Sequence, residues 1–129
     1  MTTKTNFVPT TRSWAQFTAQ IPSGSPTSTT FPYVMGDYAL GAVSPSGEVG
    51  AVAHIGLQVA DYWGVYRTKR NDVGSYADNV IISATAQGMH DMPDNWFNAV
   101  GSARLYLNDG SGSGVPATAL AIYSVELKS

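Results

Sequence analysis

Cysteine is absent from this chain of 129 residues, which excludes disulfide frameworks, thiol catalysis and thiolate metal sites. Charge is scarce as well. Seven Lys and Arg stand against nine Asp and Glu, 12% of the residues, for a net charge of -2. Charged residues supply about 25% of an ordinary globular chain, so Ser, Thr, Gly, Asn and Gln fill the surface instead. Binding nucleic acid takes clustered Lys and Arg to neutralise phosphates. With so few cations and a sequence pI near 5.4, nucleic acid is not expected as a partner. The one local cluster, Arg67, Lys69 and Arg70, is followed by Asp72 and reads as a solvated hairpin tip.

Long apolar runs are missing too. No stretch approaches the roughly 18 residues that a membrane helix needs, so no membrane partner is expected. Met1 to Pro9 holds no apolar run of the signal-peptide kind, which predicts synthesis and release in the cytoplasm. Histidine occurs only at positions 54 and 90. Phosphate-cradling and dinucleotide motifs are lacking. Gly110 to Gly114 spells the letters of a nucleophile elbow, but within a Gly/Ser loop that no helix follows. The expectation is therefore a protein that is not an enzyme.

Hydrophobic residues make up 43% of the chain, enough at this length for one domain with its own core. Residues 1–32 are rich in Thr, Ser, Pro and Gln, and Pro22 to Thr30 offers no apolar side chain besides its prolines. Such a segment cannot order itself by burial. It predicts an extended N-terminal arm or linker over 1–32, ahead of a folded domain over 33–129. Within the arm, Ala15, Phe17, Ala19 and Ile21 alternate as a strand would. The helical alternative places Trp14, Phe17 and Ile21 on one face behind a Ser13–Gln16 capping pattern.

From Phe31 onward the sequence reads as strands separated by turns. Val49, Ala51, Ala53, Ile55, Leu57 and Val59 alternate with Gly50, Val52, His54, Gly56, Gln58 and Ala60, the period of a strand with one face in a core. The glycines opposite that core face predict close approach by another sheet or subunit. Tyr62 to Tyr66 reads as a further strand, with Tyr62 and Trp63 on opposite faces and hence one of them in the core. Further strands are expected over Tyr76–Ala86, Ser102–Asn108 and Ala117–Leu127, the last apolar on both faces through Leu120, Ile122 and Tyr123. A pliable Gly/Ser loop separates the last two. Seven or eight strands with short turns predict an all-β fold: an antiparallel β-sandwich, with jelly-roll topology the leading arrangement.

Two sets of residues could carry function. Asp91, Asp94, Asn95 and Trp96, with Asn108 and Asp109, gather oxygen ligands and one aromatic at loops that one end of a sandwich would bring together. That set suits a glycan, and calcium is the one cofactor it would admit. The same residue types also collect at turns for conformational reasons alone. The second set, Trp14, Phe17, Ile21, Leu120 and Ile122, supplies apolar side chains for an interface. The leading expectation is a structural or assembly protein, a homo-oligomer or a module docked on other protein subunits, such as a phage-like capsid decoration, spike or fibre-tip component incorporated into a virion. The alternative is a carbohydrate-binding module or lectin on the same fold.

Overall fold

The structure, a computed structural model, describes residues 14–46, 53–70, 79–82 and 88–129. Among them are two short 3-10 turns, no α-helix and nine strands: β1 (Trp14–Ile21), β2 (Thr27–Thr30), β3 (Leu40–Pro45), β4 (Ala53–Ala60), β5 (Tyr66–Thr68), β6 (Val80–Ile82), β7 (His90–Asp91), β8 (Ala103–Asn108) and β9 (Ala121–Lys128). They form two antiparallel sheets. The first has the order β1-β9-β3-β7, and the second runs β2-β8-β4, with β5 and β6 sharing the far edge of β4. The fold is all-β, as the alternating pattern predicts.

Alternation builds the core directly. Ala53, Ile55 and Leu57 of β4 and Ala103 and Leu105 of β8 face Val43 of β3 and Tyr123, Val125 and Leu127 of β9 in one shared cluster. Fully burying a Val or Leu side chain contributes roughly 1.5–3 kcal/mol relative to leaving it exposed. Trp96, in the 3-10 turn Asp94–Asn98, is completely enclosed in the same cluster. Phe17 in the middle of β1 meets Phe31, just past the end of β2, edge-on, with ring centroids 4.6 Å apart.

The structure corrects several expectations. The arm over 1–32 does not reach residue 32, and no boundary falls at 32/33, because both sheets draw strands from either side of it. β1 pairs with β9 along its whole length and β2 pairs with β8, while residues 1–13 lie outside the described residues. The compositional argument counted only apolar side chains, and β2 is held by hydrogen bonds. Where its register slips between Thr27 and Thr30, the buried Ser28 hydroxyl accepts the N–H of Leu105 at 2.8 Å. Pro26 C=O and Phe31 N–H continue the pairing on either side, with Leu107 N–H and Ala103 C=O.

β9 is apolar on one face only. Tyr123, Val125 and Leu127 point inward, whereas Ile122, Ser124, Glu126 and Lys128 do not, and Leu120 precedes the strand. At Gly56 the close approach comes from side-chain amides. A Cβ there would stand 2.9 Å from Asn79 Oδ1 and 3.2 Å from Asn108 Nδ2. Between β6 and the 3-10 turn Asp94–Asn98 lies only the short strand β7 among the described residues. The positions Val49 to Val52 and Ser83 to Ala86 lie outside the described residues.

Replacing Ser28 by Ala should leave the Leu105 N–H enclosed without an acceptor. Such an orphan costs about 1–3 kcal/mol, so equilibrium urea unfolding of Ser28→Ala should show a clear loss of stability with an unchanged denaturant slope.

Candidate functional site

The most exposed aromatic side chains among the described residues belong to the connection between β4 and β5. Asp61-Tyr62-Trp63-Gly64-Val65 is a turn and not the strand its aromatic content predicts, so Tyr62 and Trp63 do not divide between core and surface. Both project into solvent, 93% and 78% exposed. The backbone closes through Gly64 N–H to Asp61 C=O at 3.0 Å and Asp61 N–H to Val65 C=O at 2.9 Å. Gly64 sits at φ +80°, a left-handed conformation that other residues reach only at a cost.

A single carboxylate holds this turn. Asp61 Oδ1 accepts the N–H groups of Trp63 and Val65 at 2.9 and 3.0 Å, and Oδ2 accepts Arg67 Nε at 2.6 Å in an ion pair. These contacts hold the Asp61 carboxyl below its ordinary value of 3.8, the Arg67 hydrogen bond most strongly and the two amides and the guanidinium charge after it, against some desolvation. The two rings meet at 90° with centroids 5.6 Å apart. The result is an apolar wedge whose backbone is fixed before any partner arrives, with Val65 exposed beside it. The signal was present in the sequence: Asp at the first and Gly at the fourth position is a β-turn signature, here overruled by the strand preference of Tyr and Trp.

The residues proposed as a glycan or calcium site fall into different roles. Trp96 is enclosed and offers no ring face for a sugar. Asp91 and Asp94 are exposed, on β7 and at the start of the 3-10 turn. Asn95 donates through Nδ2 to Arg70 C=O at 3.2 Å, while its Oδ1 is enclosed without a hydrogen-bond partner. Asn108 is buried and occupied as a bracket. Its amide exchanges hydrogen bonds with that of Asn79, and its Oδ1 also accepts the N–H of Gly110. Asp109 turns its Oδ1 onto its own loop, accepting the N–H of Ser111, the Ser111 hydroxyl and the N–H of Ser113. The two Ser111 bonds, the N–H first, hold its carboxyl below the ordinary value.

Tyr106 OH, donating to Gly112 C=O at 2.6 Å, adds a further hydrogen bond to the Gly/Ser loop. Among the described residues no group of three or more His, Cys, Asp or Glu could hold a metal ion.

The interface candidates scatter as well. Trp14 is exposed at the start of β1, where it, Leu40 and Lys128 border a shallow cleft of about 220 Å³. Phe17 packs against the core and Ile21 lies within it. Leu120 is exposed just ahead of β9, and Ile122 is half-buried opposite Gln20 at the other end of β1.

The pH dependence of the turn follows from the lowered Asp61 carboxyl. A lowered carboxyl stabilises above the unfolded value and loses that contribution as pH falls through the folded one. The amide shifts of Trp63 and Val65 should therefore titrate with a midpoint below 3.8, and a midpoint at or above it would contradict the bracket. Asp61→Ala should speed exchange of those two amides while leaving the melting temperature nearly unchanged. No family model matches the chain, and searches of curated proteins and of solved structures return no match.

Proposed function

We propose that this chain is a non-enzymatic assembly protein, a small virion component of phage-like type such as a capsid decoration, spike or fibre-tip module. It docks on other protein subunits, copies of itself among them, through the Tyr62–Trp63 turn. The observation that carries the reading is this pair of solvent-exposed rings on a backbone locked by Asp61. Trp and Tyr dominate the energetics of protein interfaces, and holding them ready reduces the ordering cost of association.

The same rings could stack on sugars, but their surroundings favour the assembly reading. A glycan site needs free polar groups beside the stacking face, to bind hydroxyls. The Asp61 carboxylate is already engaged by two amides and Arg67, and the exposed neighbour Val65 is apolar. Perpendicular rings also form a wedge and not a platform for one sugar ring. An apolar cleft on another subunit is the better complement.

The connectivity supports a β-sandwich of jelly-roll type. A jelly roll can be described as an eight-strand antiparallel hairpin rolled up, so that first pairs with last and second with second-last. Here β1 pairs with β9, β2 with β8, β3 with β7 and β4 with β6, while β5 adds to the edge of β4. Rolling also sets β9 beside β3 and β8 beside β4. Capsid and lectin domains both use this arrangement, so it favours the virion setting without separating it from glycan binding.

Native mass spectrometry of the full chain, with and without Tyr62→Ser and Trp63→Ser, tests the reading. Removing an anchor of this kind costs roughly 2 kcal/mol or more, about thirtyfold in dissociation constant. The double variant should lose the largest assemblies while keeping its melting temperature. Saturable quenching of tryptophan fluorescence by an oligosaccharide, abolished in Trp63→Ser, would instead establish the lectin reading.

A further inference from the structure

Sheet edges present unpaired N–H and C=O groups that template pairing with another chain, and proteins keep them short, irregular, charged or proline-bearing. The described edges of this chain follow that rule with one exception. β7 has two residues, β5 and β6 three each, and β2 is interrupted by a register shift and follows Pro26. β1 is different. Its eight residues run in unbroken register with β9, and its sequence WAQFTAQI has no charge, proline or glycine.

The backbone groups that face outward from β1 follow from the ladder. Ser46 N–H donates to Ile122 C=O, so the even-numbered residues of β9 turn their groups toward β3. Its odd-numbered residues face β1, where they lie opposite Ala15, Phe17, Ala19 and Ile21. In an antiparallel ladder the direction alternates, which points the groups of Trp14, Gln16, Thr18 and Gln20 away from the sheet. Gln20 agrees with this, its N–H donating to Thr29 Oγ1 at 3.3 Å. Trp14, Gln16 and Thr18 have no backbone partner on that side among the described residues.

We infer that this edge pairs with β1 of a second copy, antiparallel about a two-fold axis at Gln16. In that register Gln16 stands opposite Gln16 of the copy and Trp14 opposite Thr18, pairs of outward-facing residues able to exchange both backbone bonds, with Ala15 opposite Phe17 as the non-hydrogen-bonded pair between them. A two-fold contact sets a strand against itself, and any charge on it would meet its own image or a near neighbour. β1 carries none. Trp14, 65% exposed on the outer face of the sheet, gains Thr18 of the copy as a cross-strand neighbour, an aromatic and β-branched pair of the kind that stabilises sheets. The first sheets of two copies become one continuous sheet. This inference rests on the assembly reading and supplies its self-pairing contact, at a surface distinct from the Tyr62–Trp63 turn.

Gln16→Pro tests it with little damage to the fold, because the N–H it removes points outward and proline is tolerated at such edge positions. With Tyr62→Ser and Trp63→Ser in place to remove docking through the turn, the chain should appear by native mass spectrometry at twice its 13.6 kDa mass, and adding Gln16→Pro should give a folded single chain. Hydrogen exchange gives a second readout that needs no variant: the Gln16 and Thr18 amides should slow as the wild-type protein is concentrated. A monomer at every concentration, a folded Gln16→Pro dimer, or exchange independent of concentration overturns the inference. A dimer lost with the aromatic turn but kept by Gln16→Pro overturns the edge pairing and leaves the assembly reading standing. A dimer lost only with Gln16→Pro, beside saturable glycan binding at Trp63, does the reverse.

Discussion

β9 is flanked on both sides, by β1 across eight residue pairs and by β3 across six, and that double flanking sets the inner face of the first sheet. Once its neighbours are fixed, the pleat leaves no choice about which residues point inward. Tyr123, Val125 and Leu127 must enter the core, and Ile122, Ser124, Glu126 and Lys128 must not. A slip of one residue against either neighbour would expose the apolar set and enclose Glu126 and Lys128, a far larger penalty than any single contact. The pairing also joins the two ends of the described chain, since β1 and β9 lie side by side. Contacts this distant in sequence close late and cost loop entropy before they reward it.

How legible the fold was depended on what held each strand in place. β4 was legible because burial alone positions it: Ala53, Ile55 and Leu57 alternate with half-exposed or small residues. β8 was legible for the same reason. β2 was not, because its four residues are Thr and Ser and its place is secured by Ser28 Oγ on the Leu105 amide. That bond joins residues 77 apart, and no local pattern announces it. The strand expected over Ala117–Leu127 overlaps β9 from Ala121 onward but was started too early, so Leu120 was counted with it although it stands outside.

The candidate site shows the same division. Asp91, Asp94, Asn95, Asn108 and Asp109 look alike as a list of oxygen-bearing residues. The fold separates them by use: Asn108 brackets Asn79 and Gly110, and Asp109 closes its own loop. Trp96 was expected at a binding surface and lies in the core, while Tyr62 and Trp63 were expected to share one core position and both lie outside. Aromatic content alone does not distinguish an anchor from a core residue. The local turn chemistry does, because Asp61 and Gly64 end β4 before the aromatics can join it.

Scarce charge gives the exposed surfaces a common character. A protein with a net charge of -2 over 129 residues generates little long-range field, so association gains little from electrostatic steering. Recognition then rests on shape, apolar contact and backbone pairing. Both proposed surfaces would answer that need in advance, the turn by locking two rings on a fixed backbone and β1 by offering an unbroken edge with no charge to misplace. Preorganisation of this kind reduces the ordering cost of binding and acts mainly on how long a contact lasts, because association rates vary much less among related contacts than lifetimes do. A sparsely charged module built on these terms is suited to lasting contacts within an assembly more than to rapid exchange between partners.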